Sequence, residues 1–192
     1  SVALASGIDA KDISFAGPGK SQQDLLAAIT AGVIINVESE SELSRIVKIS
    51  AAQDTLARVA FRINPDFELK GSGMTMGGGA KPFGIDAEKI PELLKSPLLA
   101  LVDFQGFHIF WGSQNLKPEL IIDAHNKTFA LARRLCKELS SPPKWLNIGG
   151  GLGVPYFPGE QRLDLTPICA NLEQLLAQYQ EFKNTEIVME LG

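Results

Sequence analysis

The sequence predicts a parallel α/β fold. Short apolar runs alternate with longer amphipathic ones, the short runs end on glycine or proline, and serine or threonine opens several of the long ones. Such alternation carries each strand back to the sheet in the same direction, so the strands lie parallel. Two architectures satisfy the pattern, an open doubly wound sheet and a closed eight-stranded barrel, and periodicity does not choose between them.

The elements follow in order. Ile13 to Ala16 is the first strand, ended by Gly17-Pro18-Gly19. Ser21 caps a helix whose apolar positions are Leu25, Leu26 and Ile29 and whose stop is Gly32. Val33 to Val37 is the second strand. Ser39 and Glu42 have the spacing of a capping box for a helix carrying Leu43, Ile46 and Val47. Arg58 to Ile63 is the third strand, and a glycine-rich loop follows from Asn64 to about Phe83. Residues 87–95 have a helical pattern, and Phe104 to Phe110 is the fourth strand. A long helix spans 118–139, with Phe129, Ala132, Cys136 and Leu139 on one face. Trp145 to Ile148 is the fifth strand, closed by Gly149-Gly150-Gly151. Thr166-Pro167 opens the last helix, with Ile168, Leu172, Leu175, Leu176, Tyr179 and Phe182 as its apolar positions. Residues 187–191 form the sixth strand. Six strands are two short of a barrel, and such a sheet leaves unpaired edges, so the chain is expected to be a window on a longer protein.

Composition narrows the function. The chain has 192 residues, 45% hydrophobic and 21% charged, with a net charge of −4. That suits one domain with a real core and argues against a basic nucleic-acid surface. No apolar run approaches the roughly 18 residues of a membrane span. The opening Ser-Val-Ala-Leu-Ala-Ser-Gly lacks a signal-peptide pattern, so the expectation is a cytoplasmic protein with no membrane partner. Cys136 and Cys169 form no CxxC pair and have no histidine at metal spacing, so both are expected to be reduced, partly buried thiols, with no metal site.

Four features could carry chemistry. Gly17-Pro18-Gly19-Lys20-Ser21 sits where a phosphate loop would sit, but the glycine such a loop needs is Ser14, so it reads as a tight turn. Gly149-Gly150-Gly151-Leu152-Gly153 directly follows a strand, where glycines let backbone N–H groups approach a single phosphate; a purely structural turn is the alternative. Gly112-Ser113-Gln114 follows the fourth strand, and the Ser113 hydroxyl could reach the same anion or simply cap the next helix. Arg62 and Glu190 are charged residues near the C-terminal ends of apolar strands, where parallel α/β folds build sites. A carboxylate there needs a partner, and Arg62 or a protonated ring nitrogen would serve. His108 either lines that site or packs in the core. His125, on a helix, is a packed or surface histidine, and Lys81 in the glycine-rich loop is either solvated or a contact for an anionic substrate.

The order of the pieces is specific. Phe15 to Lys20, Asn36 to Ser39, Phe61 to Pro65, Phe83 to Ile85, Gly106 to His108, Gly112 to Gln114, Asn147 to Gly151 and Glu190 to Gly192 fall in one sequence. Together they resemble the alanine-racemase-type pyridoxal-phosphate decarboxylases, which act on diaminopimelate, ornithine, arginine and related substrates. The resemblance implies that residues 1–192 are the cofactor-binding part of a parallel (β/α)8 barrel, holding strands three to eight. It places the strand with the Schiff-base lysine before Ser1 and the β domain outside the chain, so the piece alone is expected to be inactive. It implies a homodimer, pyridoxal 5'-phosphate as cofactor, and an amino-acid substrate, free or bound to a carrier protein. Gly149, Gly150, Gly151 and Ser113 resemble the phosphate-binding groups. Glu190 resembles the carboxylate that keeps the pyridine nitrogen protonated, and Arg62 the arginine near it. Where the family usually has a ring-stacking histidine, this chain has Phe110. Together with the loop Met74 to Gly84, that departure resembles a biosynthetic-cluster subgroup whose members act on carrier-bound aminoacyl groups or accompany exosortase systems. The other expectations are diaminopimelate decarboxylase, a non-catalytic regulatory homologue and an amino-acid racemase.

Overall fold

The computed structural model describes residues 2–67 and 82–191. Seven strands form one sheet: β1 Ser14–Phe15, β2 Ile34–Val37, β3 Arg58–Asn64, β4 Ile85–Asp86, β5 Asp103–Ile109, β6 Trp145–Asn147 and β7 Glu186–Val188. The helices are α1 Val2–Ala5, α2 Gln22–Ala31, α3 Glu40–Ala52, α4 Ile90–Leu94, α5 Pro118–Cys136 and α6 Thr166–Gln178. The strand order is β1-β2-β3-β5-β6-β7, with β4 beside β3, and every pairing is parallel. This order chooses between the two expected architectures. A doubly wound sheet reverses its strand order at a switch point, whereas a barrel adds strands in chain order. The sheet is an incomplete (β/α)8 barrel.

Strand alternation divides its faces. Ile35, Val37, Val59, Phe61, Ile63, Phe107, Ile109, Leu146 and Ile148 form the main core with Leu25, Ile29, Leu43, Ile46, Phe129, Leu135 and Leu175 of the helices. The opposite, inner face carries a small apolar cluster of Ile34, Ala60 and Trp145 with Val188 against it. A bulge between β3 and β5 sets which residues of β5 join that inner face. Val59 pairs with Phe104 but Ala60 pairs with Gly106, so Gln105 is an extra residue. The bulge reverses the alternation, which turns Phe107 and Ile109 outward and His108 inward. It also brings two backbones together, because a Cβ on Gly106 would lie 1.8 Å from the Trp145 carbonyl oxygen.

Several boundaries depart from expectation. The fourth strand ends at Ile109, the fifth at Asn147, and the sixth runs Glu186–Val188, so Phe110, Ile148 and Glu190 lie just past strand ends. The helix expected over 87–95 is a 3-10 turn, Ala87–Lys89, then α4 from Ile90; Pro91 has no N–H and fits only a first turn. Two-residue β4 was too short to show a period. Leu26 and Leu176, expected on apolar faces, are 38% and 44% exposed. Cys169 is exposed rather than partly buried; Cys136 is partly buried, and its burial raises the thiol to about 12. Ser21 and Asp24 form a full capping box, whereas the Ser39 box is half formed because the Glu42 carboxylate is engaged elsewhere. Lys70, Lys81 and most of the Met74 to Gly84 loop lie outside the described residues.

Candidate functional site

Register builds the site. Arg62 pairs with His108, His108 with Asn147, and Asn147 with Val188, so these residues share one row across the inner face. One row further, the Glu190 N–H donates to the Gly149 carbonyl at 2.8 Å. Glu190 thus stands beside the first glycine of the loop and above His108 and Asn147.

The Glu190 carboxylate has a histidine and an asparagine at close range. Its Oε1 lies 3.2 Å from His108 Nε2 and accepts from Asn147 Nδ2 at 3.0 Å. Asn147 Oδ1 in turn accepts the Gly149 N–H at 2.8 Å, which fixes the amide's orientation. The His108 ring nitrogen, first in effect, holds the Glu190 carboxyl below its ordinary range; partial burial opposes this, and Asn147 and the more distant Arg62 charge add to it. Among the described residues, Glu190 Oε2 has no partner.

The glycine loop is built for close approach. Gly149 and Gly151 have φ of +73° and +77°, in the left-handed region that favours glycine. A Cβ on Gly150 would lie 1.6 Å from the Glu190 carbonyl oxygen. All three glycines are buried, and the N–H groups of Gly150 and Gly151 have no partner among the described residues. Buried N–H groups are rarely left unpaired, so this pair is poised for an acceptor. A second loop is tied to the first. Asn115 N–H donates to the Gly151 carbonyl and the Asn115 carbonyl accepts from Gly153 N–H, both at 2.9 Å. Trp111 Nε1 donates to the Ile148 carbonyl at 3.0 Å. These contacts hold Ser113 alongside the glycines.

Arg62, one of the two candidate partners for Glu190, lies near enough to act on it electrostatically but pairs with Glu38. Its NH1 lies 3.4 Å from Glu38 Oε1, and its guanidinium carbon lies 4.8 Å from the Phe83 ring centre and 5.4 Å from that of Phe110. Phe110 also meets the His108 ring edge-on, 6.4 Å between centres. Lys20 is not a loop lysine in water. It is 4% exposed, its Nζ donates to the Asn36 carbonyl at 2.8 Å and lies 3.2 Å from Glu42 Oε2, and burial lowers its ammonium below lysine's usual range. His125 is fully buried against Trp111, and that burial lowers it to about 4.

The structure therefore brings Glu190, His108, Gly149, Gly150, Gly151 and Ser113 together, with Arg62 and Phe110 along one wall. Sequence reasoning missed Asn147, Glu38, Asn115 and Trp111 as working residues. Asn147 had a signal: it is two residues before Gly149, hence on the same face as the loop. The others are placed by long-range contacts that leave no local pattern.

Comparison with known proteins matches residues 1–192 to the family described as pyridoxal-dependent decarboxylase, pyridoxal binding domain. The chain belongs to this family. It is 32% identical over 195 residues to the L-glutamyl-[BtrI acyl-carrier protein] decarboxylase of Niallia circulans, covering 100% of this chain and 46% of that protein. It is 29% identical to the diaminopimelate decarboxylase of Thermoplasma acidophilum, again over 100% and 46%. The diaminopimelate decarboxylase of M. jannaschii, solved in co-complex with L-lysine, superposes with a TM-score of 0.84 at 27% identity, covering 100% of this chain and 45% of that one. The chain thus spans about half the length of the relatives it matches.

Pyridoxal phosphate, the family's cofactor, fits the residues present. Two unpaired N–H groups in a loop with no room for a Cβ suit a phosphate, and a carboxylate with one oxygen unpartnered suits a protonated ring nitrogen. No helix among the described residues is long and apolar enough to cross a membrane.

Proposed function

We propose that the protein containing this chain is a pyridoxal-phosphate-dependent amino-acid decarboxylase and that residues 1–192 hold its cofactor. The observation that carries the reading is Glu190, a carboxylate kept ionised by His108 and Asn147 with one oxygen unpartnered, beside the two unpaired glycine N–H groups. When bound, the cofactor supplies an electron-poor ring that accepts the electron pair left as carbon dioxide departs. Glu190 would hold the proton on the ring nitrogen. His108 and Asn147 keep the carboxylate oriented and anionic. Gly150 and Gly151 N–H groups, with the Ser113 hydroxyl, would bind the phosphate. Phe110 gives the ring an apolar wall and, unlike histidine, offers no proton.

The substrate we propose is an aminoacyl group on a carrier protein. Two observations support this over a free amino acid: the Niallia circulans relative is named for such a substrate, and Phe110 departs from the histidine usual in the family. The working unit proposed is a cytoplasmic homodimer, on the strength of the family resemblance. The test offers the full-length protein acidic, basic and carrier-loaded amino acids and measures carbon dioxide release. Release from the loaded carrier is expected, together with visible absorbance from the bound cofactor. No release from any of them would overturn the reading.

A further inference from the structure

The inner face sets two carboxylates, Glu38 and Glu190, near one guanidinium, that of Arg62. Arg62 is close enough to act on Glu190 electrostatically, yet its contact is with Glu38 at 3.4 Å. The choice has a visible cause. The Glu38 side chain is 1% exposed, and its carboxylate gathers three parts of the chain. It accepts the Gly17 N–H from the turn after β1 and, at 3.2 Å, the Gly84 N–H from the segment before β4. Its own N–H donates to Glu42 Oε2 at 2.8 Å, and Glu42 is fixed by buried Lys20. A carboxylate held this firmly needs a cation, because burying it unpaired is costly. Arg62 meets that need and is then flanked by Phe83 and Phe110, an arrangement that suits a flat, weakly hydrated guanidinium.

Were Arg62 paired with Glu190 instead, the forked guanidinium would occupy the carboxylate and neutralise its charge. The oxygen left for a ring nitrogen would be lost. We propose that Glu38 is a positioning residue that holds Arg62 against Phe83 and Phe110 and so keeps it off Glu190. The consequence for the cofactor rests on the functional reading above; the placement of Arg62 does not.

The test uses the full-length protein and four variants. In a crystal structure of Glu38→Gln, the Arg62 guanidinium is expected within ion-pair distance of Glu190, about 4 Å. Affinity for pyridoxal phosphate, measured by equilibrium dialysis after stripping, is expected to fall roughly tenfold. Glu38→Asp, which keeps the charge, should recover most of the affinity. In Glu38→Gln/Arg62→Met the loss should vanish relative to Arg62→Met alone, because no guanidinium remains to be misplaced. The proposal is overturned if Arg62 stays between the two rings in Glu38→Gln, or if that substitution weakens binding equally with and without Arg62. Should Glu38→Gln not fold, the Glu38→Asp crystal structure decides: Arg62 following the shortened carboxylate supports the proposal, and Arg62 unmoved overturns it. A wild-type protein that binds no pyridoxal phosphate would sink the functional reading, and the position of Arg62 would still decide this one.

Discussion

The front and back of the inner face handle polar groups in opposite ways. At the front, around β1 to β3, charges are buried and matched: Lys20 with Glu42, and Arg62 with Glu38. At the back, around β5 to β7, one carboxylate is held by a histidine and an asparagine, and two glycine N–H groups have no partner among the described residues. Matched charges leave no spare charge for a ligand, although the side chain of buried Asn36 beside them has no partner among the described residues. A cluster with spare donors and a spare acceptor has groups to offer one. The front therefore acts as the frame and the back as the binding surface.

Substitutions separate the two. The largest stability effect is expected from Lys20→Met at the front, which leaves buried Glu42 with only half-exposed Arg45, 3.7 Å away, as a cation among the described residues. It should cost about 3–5 kcal/mol by urea unfolding, and pairing it with Glu42→Leu should return most of that. Next comes His125→Leu, beneath the back loops. His125 is neutral in the folded state down to about 4, but ordinary, near 6.5, once unfolded. The unfolded chain therefore takes up the proton first, and stability falls as pH drops from 6.5 to about 4, by on the order of 3 kcal/mol. In the leucine variant that part of the pH dependence should disappear.

Gly150→Ala should cost about 1–3 kcal/mol, as the Cβ must displace the Glu190 backbone, and should abolish cofactor binding in equilibrium dialysis. A variant that still bound pyridoxal phosphate normally would break the assignment of the back loop. The smallest stability effect is expected from Glu190→Gln, below about 0.5 kcal/mol at neutral pH because the side chain is 39% exposed. Its folded-state value is depressed, so its contribution is present above the ordinary carboxylate range and is lost as pH falls through the depressed value. Thermal melts from neutral to acid pH would show that small difference, while cofactor affinity should fall far more.

This division explains what the sequence could and could not disclose. Strands, helices and caps follow local periodicity, so Val33 to Val37 or the Ser21 cap were readable. Chain-order winding was not, because each βαβ unit looks alike in either architecture. Gly149 to Gly151 and Glu190 stood out because glycine clusters and strand-end charges are unusual in apolar surroundings. Glu38 and Asn115 did not, since their partners lie tens of residues away and a glutamate before a helix looks like an ordinary first-turn acid. The inward turn of His108 depended on a single-residue bulge at Gln105, which alternation alone could not foresee.

The most direct test of the binding surface is a crystal structure of the full-length protein grown with pyridoxal phosphate. The phosphate is expected against the Gly150 and Gly151 N–H groups and the ring nitrogen against Glu190. A cofactor bound at the front, or a ring nitrogen facing any group other than Glu190, would contradict it.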